Sequence, residues 1–373
     1  MILIREVKTK RDARNFTEFP NKLYKDVPAF VPALSMDENN VFNKKKNPVH
    51  AYVESIRFLA YKNGKLVGRV AGLVNHKINY EMNKKQVRFT RLDMIDDLEV
   101  TKALISAVES WGVETYGMEE IIGPIGFTDF DRQGMLIEGF EYLNLFITIY
   151  NAPYYMVHME KLGFEKDVDW LEKRLNWPQE IPEKVARATE LIKKRYGYRL
   201  YKPTSKTDLD SFIYDAFEVY NNAFSELYGF YPMPKKIIDF YVKQVIGLVK
   251  LEWVWVVYDK NDKIAGFGVV MPSLSIANKK SNGKLFPFGW ARILKSLKKY
   301  DTLDFYFIAV APEHQGRGIS ALIFEDGIKT GVKHGVKWAE TGPELENNIA
   351  IQSFWKDFDY VEHKKRRCWI KKI

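Results

Sequence analysis

The sequence predicts an α/β protein with a mixed sheet, in which one layered plan is laid down twice. Three observations carry that expectation. Residues 304–322 run as an apolar strand, a turn containing Gly316 and Gly318, and a helix, the junction from which α/β layers are built. Two hairpins of one kind lie far apart: residues 61–72 turn at Asn63-Gly64, residues 258–268 form the second, and Gly68 and Gly266 are 198 positions apart. Each half ends on an alternating strand, 169–175 and 366–372, and 373 residues suffice for two domains of ordinary size.

The elements follow in order. In the first half, the strand 87–94 leads into Asp96-Asp97-Leu98-Glu99, a helix start without glycine. Asp96 or Asp97 is a good N-cap, and its carboxylate takes the N–H groups that an anion would otherwise use. Residues 123–134, with Gly123, Pro124, Gly126 and Gly134, read as a loop without counterpart in the second half. Asp129 or Asp131 in it is a candidate holder of a cationic amine; a structured turn is the plainer alternative. Asn151-Ala152-Pro153-Tyr154-Tyr155 then precedes a helix that ends at Leu162-Gly163-Phe164. The two prolines of 177–182 mark a boundary, which gives domains 1–178 and 179–373.

After the boundary come a helix over 184–196 and a strand over 198–201. Residues 278–290 form an insert ahead of an amphipathic segment, 291–299. Three readings stay open for it: a gate for acceptor or acyl chain walled by Phe286, Phe288 and Trp290, a membrane-surface contact, or a packed connecting helix. The strand 336–341 carries Glu340, and Glu344 and Glu346 follow in the next loop. Asn347-Asn348 opens an apolar helix over 349–358 and looks like its cap.

Composition excludes several classes. With 46% hydrophobic and 28% charged residues the chain reads as globular and water-soluble. The single Cys368 excludes an internal disulfide framework and fits a reducing compartment. Neither a signal peptide nor an apolar run of ~18–20 residues is present, so a cytoplasmic location is expected. A net charge of +9 favours anionic ligands without choosing among them. The histidines show no His-Glu-x-x-His or Cys/His spacing, so no metal site is predicted. No recognition-helix pattern points to sequence-specific nucleic acid binding.

The junction at 304–322 carries the chemistry. A helix start presents unpaired N–H groups and partial positive charge, Gly316 and Gly318 allow close backbone approach, and Arg317 adds a cation. It is neither a Walker loop nor a dinucleotide fingerprint, since no Gly-Lys-Ser/Thr follows and the third glycine is missing. The local reading is a diphosphate seat, beside the alternative of a ligand-free junction.

Gln315-Gly316-Arg317-Gly318-Ile319-Ser320 resembles the Gln/Arg-x-x-Gly-x-Gly/Ala signature of the GNAT acyltransferase superfamily, with Ser320 where Gly or Ala is usual. The lead-in Val310 to Gln315 fits as well, and so does the order of elements in both halves. Lys46-Asn47-Pro48, Val67-Gly68-Arg69-Val70, Asn151 to Tyr155 and Asn282 to Gly289 extend the resemblance to bacterial tandem GNAT-like proteins. The resemblance implies two tandem GNAT folds and an acyl-CoA donor, acetyl-CoA or longer, bound by the second half. It places the pyrophosphate on Gln315, Gly316, Arg317, Gly318, Ile319 and Ser320. It places the pantetheine arm beside Ile308, Ala309 and Val310, with Asn348 as a further contact. Glu340 is the candidate base. The tyrosine that serves as acid in the family falls on Trp355, whose indole cannot replace it, while Tyr306 and Tyr360 lack positional support. The implied function is N-acyl transfer to a small-molecule or peptide amine. A CoA-binding or interaction protein without chemistry, and a transferase fed by acyl carrier protein or aminoacyl-tRNA, remain as alternatives.

Overall fold

Asn63 and Gly64 both take positive φ, 51° and 75°, so the first hairpin closes with the tight turn that matches strand twist. The rest of the sheet grows from such local pairings. A computed structural model describes residues 1–373. The first half contributes β1 (Ile2–Glu6), β2 (Val53–Lys62), β3 (Lys65–Asn75), β4 (Gln86–Met94), β5 (Glu120–Gly123), β6 (Met135–Glu138) and β7 (Glu165–Asn176). The second contributes β8 (Arg199–Tyr201), β9 (Val254–Tyr258), β10 (Ile264–Pro272), β11 (Thr302–Val310), β12 (Trp338–Glu340), β13 (Glu344–Leu345) and β14 (Tyr360–Lys372).

All the strands join one mixed sheet in the order β1-β2-β3-β4-β5-β14-β7-β12-β11-β10-β9-β8, with β6 on β14 and β13 on β7. The halves have exchanged their last strands. β14 lies antiparallel to β5 of the first half (Trp369↔Gly123), and β7 lies antiparallel to β12 of the second (Leu175↔Ala339). The two exchanged strands pair with each other along the centre, from Tyr360↔Leu175 to Ile370↔Glu165. A cut at 178/179 would therefore remove a central strand from each side.

Strand alternation sends successive side chains to opposite faces. On one face Leu59, Leu73, Val256 and Phe267 join a core that spans both halves, covered by the helices Lys10–Leu23, Lys206–Ala223 and Lys235–Val245. On the other face Ala60 and Val74 pack under the helix Leu98–Tyr116. There Val257, Leu303 and Phe305 pack under the helix Ile319–His334.

The exchange carries charge into the centre. Glu172 of β7 and Lys364 and Arg366 of β14 are buried and paired, with Lys364 Nζ 3.1 Å from Glu172. The loop after β6 roofs them: Arg366 donates to Asn144 Oδ1 at 2.8 Å and Thr148 Oγ1 at 3.0 Å, and Lys364 donates to Leu143 O at 3.1 Å. No helix is long and apolar enough to cross a membrane.

Candidate functional site

β11 is paired on both edges for only part of its length. Its parallel pairing with β12 covers Thr302, Leu303 and Asp304 and then stops. Its pairing with β10 continues to Gly266↔Val310. Ala311 N–H donates to Ala265 O at 2.9 Å. By antiparallel alternation Ala309 is thus bonded to β10, and Ile308 and Val310 turn their N–H and C=O groups to the open edge. Val310 O accepts from Gln315 Nε2 at 3.3 Å, which confirms that direction. Tyr306 has no partner in the register, since Val269 faces Phe307 and Val270 faces Phe305. This bulge bends the strand where the splay begins.

The open edge leads into the predicted anion seat. A single 3₁₀ turn, Pro312–His314, is followed by Gly316 at φ 71° and Gly318 at φ 80°. Gly318 is the N-cap of the helix Ile319–His334, and no side chain caps that start. Gln315, Gly316, Arg317 and Gly318 are exposed, Ser320 is half-buried, and Ile319 is packed in the core beneath. A Cβ at Gly318 would lie 2.5 Å from Ile192 Cδ1, whereas one at Gly316 would meet nothing. Arg317 sits 5.6 Å above the Tyr196 ring. His314 is tethered away from the seat, with Nδ1 2.8 Å from Tyr198 Oη and Nε2 3.8 Å from Asp259. Asn348 caps its helix through Ile351 N–H, at 3.4 Å, as its sequence context suggested.

The acid–base groups require a correction. Glu340 lies on β12 beside the splay, but His363 Nε2 and Lys364 Nζ stand 3.2 and 3.1 Å from its Oε2. Burial opposes ionisation, yet these two partners hold the carboxyl at about 2. So weak a base is unsuited to taking a proton from an amine near neutral pH. Its neighbour across the strands, Asp304, is different. Asp304 pairs with Glu340 in the register, is buried, and leaves Oδ1 without a hydrogen-bond partner. Burial first, and then the Glu340 charge, push its carboxyl up to about 8. The sequence signal was a lone aspartate between Leu303 and Phe305 in an apolar strand.

On the opposite face Trp355 is buried and its indole N–H donates to both oxygens of Glu344, at 2.8 and 2.9 Å. Burial raises the Glu344 carboxyl to about 7 against the pull of Lys173 and Trp355. Glu346 accepts from Asp169 N–H at 3.1 Å and pairs with Lys166. Of the two aspartates in the 123–134 loop, Asp131 is ruled out as an amine holder: Arg91 grips both its oxygens, at 2.7 and 2.6 Å. Asp129 is not so held, and burial lifts its carboxyl to about 7. His, Cys, Asp and Glu form no cluster in a metal-ligating arrangement.

No protein-family profile matches the chain. Over its full length it is 26% identical to Protein YghO of Escherichia coli (strain K12), covering 95% of that protein. Over 78% of its length it is 25% identical to the bacterial ceramide synthase of Caulobacter vibrioides, covering 75% of that protein. Among solved structures, a tandem GNAT protein from the clavulanic acid biosynthesis pathway covers 100% of this chain and 98% of its own, with a TM-score of 0.59 and 10% identity. The fold is tandem GNAT.

The first GNAT unit has the same geometry with the corresponding positions filled by its own side chains. β4 pairs with β5 only over Gln86, Val87 and Arg88, then splays. Met94 faces Gly68 as Val310 faces Gly266, and Ile95 N–H donates to Val67 O as Ala311 N–H does to Ala265 O. The Met94 edge is not open. Tyr155 Oη accepts from Met94 N–H at 3.0 Å, and Tyr154 Oη donates to Met94 O at 2.6 Å. Further back, Ile125 N–H donates to Phe89 O at 3.0 Å. The helix start is filled too, since Asp97 Oδ1 accepts from Glu99 N–H at 3.1 Å. Lys62 bonds Asp97 and holds its carboxyl below the usual range. At the apex, where the second GNAT unit has Asp304, the first has the buried Arg88. Sequence reasoning found Asp97 and missed the two tyrosines, although both stood in the Asn151-to-Tyr155 motif.

Proposed function

We propose that this protein transfers an acyl group from an acyl-CoA to a primary amine, with the donor held by the second GNAT unit. One observation carries the reading: the edge of Ile308 and Val310, paired with no strand and bonded only by Gln315, runs directly into the uncapped helix start at Gly318, in this unit alone. Pantetheine amides would add to that edge as a strand does, and the diphosphate would rest on the N–H groups of residues 316–320 beside Arg317. An N–H on the same edge would polarise the thioester carbonyl. The amine enters as the neutral base, its nitrogen forms the C–N bond, the proton of the resulting ammonium centre passes to the Asp304 carboxylate, the C–S bond breaks, and CoA leaves as thiolate. Asp304 suits the role, because a carboxyl titrating at about 8 is matched to a proton acceptor near neutral pH. Glu340 acts on Asp304 through its charge.

Half-buried Phe130 and Phe307, backed by the buried rings of Tyr220 and Tyr241, would wall the acceptor side. The Phe130 and Phe307 rings lie 4.7 Å apart, and Tyr220 and Tyr241 stand 5.5 and 5.4 Å from Phe130. Such a wall favours an amine with a hydrocarbon body. The likeness to a bacterial ceramide synthase supports the same class, since a ceramide is an N-acylated long-chain amino alcohol.

Calorimetry with CoA, acetyl-CoA and a long-chain acyl-CoA tests the donor. Binding by wild type and its loss in Gly318→Glu are expected; no binding by wild type at millimolar ligand would overturn the reading. Mass spectrometry of reactions with long-chain and short primary amines then tests transfer. A second reading has its own support, because Trp355 commits its N–H to Glu344 and leaves no phenol for the departing thiolate. On that reading CoA binds but no amide forms with any amine.

A further inference from the structure

We propose that residues 273–300 form a surface that docks the protein onto a bilayer containing anionic lipid. The proposal goes beyond acyl transfer and does not depend on it. Three bulky rings stand in solvent here, Phe286 at 78%, Phe288 at 68% and Trp290 at 50% exposure. Such rings are ordinarily buried, and an exposed apolar group of this kind marks an interaction surface.

The segment is built to hold them there. The helix Gly289–Lys298 buries Ile293 and Leu297 against Leu34, Met271, Leu274 and Ala277. Its outer face carries Trp290, Leu294 and Lys298 at four-residue spacing, all exposed. The loop before it is seated on the first half. Ser35 N–H donates to Gly283 O at 2.9 Å, and a Cβ at Gly283 would lie 2.0 Å from Ala33 O. Trp290 Nε1 donates to Pro287 O at 2.9 Å, which satisfies the indole and leaves its ring facing outward.

Charge selects the occupant. From 273 to 300 there is no aspartate or glutamate, while Lys279, Lys280, Lys284, Arg292, Lys295, Lys298 and Lys299 fall within it. Only Lys284 has an acidic side chain within 4 Å, Glu18 at 3.8 Å. Lys279 and Arg292 bond backbone carbonyls, which leaves Lys280, Lys295, Lys298 and Lys299 as free cations beside the rings, the chemistry of an interfacial anchor whose rings enter the headgroup boundary and whose cations meet lipid phosphate. The inner side of the same helix packs in the cluster that also holds Tyr306, two residues from Asp304. The candidate site would thus open next to the bilayer.

Flotation with vesicles tests this on the full chain. Wild type is expected to float with vesicles of phosphatidylcholine and phosphatidylglycerol at 7:3 and to remain behind with pure phosphatidylcholine. Phe286→Ser/Phe288→Ser/Trp290→Ser and Lys295→Glu/Lys298→Glu/Lys299→Glu are each expected to lower partition at least about tenfold. All six positions are exposed, so far-UV circular dichroism and melting temperature should match wild type; the single change Phe288→Ser replaces any variant that misfolds. Absence of wild-type binding at millimolar lipid overturns the proposal. So does binding that the aromatic variant leaves unchanged, or binding to RNA or an acidic protein without binding to vesicles.

Discussion

Val310 and Met94 occupy the same place in two copies of one fold, and their surroundings have diverged completely. Both lie opposite a glycine at the end of a splayed strand. Beyond Val310 the edge is free except for Gln315, and the next helix starts uncapped. Beyond Met94 two phenol groups complete the backbone hydrogen bonds, and Asp97 caps the next helix. The difference is one of backbone hydrogen bonding. Backbone donors and acceptors must be satisfied. One unit satisfies them with its own side chains, and the other leaves them open, which is what the proposed donor site requires.

The largest test strikes the apex, where the acidic Asp304 stands in the place of the basic Arg88. Asp304→Asn should lower the turnover rate by roughly 10²–10⁴-fold with little change in acyl-CoA affinity. The wild-type rate should rise with pH to a plateau above about 8, because the base must be ionised, and this limb should vanish in the variant. Stability should move the opposite way. The folded state keeps the Asp304 proton to about 8, whereas the unfolded chain releases it near the ordinary aspartate value of 3.8. Folding therefore loses stability as pH rises through that window, and Asp304→Asn should flatten the slope in urea melts taken from pH 5 to 9. An unchanged rate with the same pH limb would remove Asp304 from the chemistry.

Gly318→Glu should reduce acyl-CoA affinity by about 100-fold or more, since it combines a clash with Ile192, a positive φ and a negative charge at the helix start. Gly316→Ala separates strain from charge. Its Cβ meets nothing, so only the cost of positive φ remains, about 1 kcal/mol, and affinity should fall about fivefold or less. Equal losses in the two variants would show that backbone conformation, not the anion seat, sets affinity.

How far the sequence discloses this comparison depends on range. The glycine turn after Gln315 and the cap at Asp97 are local features, so a few neighbouring residues reveal them. The exchange of β7 and β14 is not legible, because an alternating strand reads the same whichever strands flank it. That exchange is also why Glu340 misleads. Its position on β12 suits a base, but Lys364 and His363 arrive from the exchanged strand and fix its charge. The tyrosine plug is hidden for a related reason: Tyr155 bonds a backbone group 61 positions away.

Tyr155→Phe should sharpen the comparison from the structural side. It removes the acceptor for Met94 N–H and the partner of Tyr24 Oη, 2.5 Å away, in a buried setting. A buried group left unsatisfied costs about 1–3 kcal/mol, so urea unfolding should show a loss in that range. Acyl-CoA stoichiometry should stay at one, because Asp97 still occupies the first helix start. A second binding event in calorimetry would mean that the tyrosine was the only barrier.

Asp97→Ala is the smallest change and isolates the cap. Asp97 accepts from Glu99 N–H and pairs with Lys62, whose side chain is partly in water. Loss of an N-cap costs about 1 kcal/mol, and an ion pair so placed adds less than that. The Asp97 carboxyl lies below its ordinary value, so its contribution is present above about 4 and fades as pH falls. Wild type and variant should thus differ in melting temperature at pH 7 and draw together as pH falls below about 4. Acyl-CoA affinity should not change, since the seat at Gly318 lies in the other unit. If Asp97→Ala instead raised the stoichiometry to two, the cap rather than the tyrosine plug would be what closed the first unit.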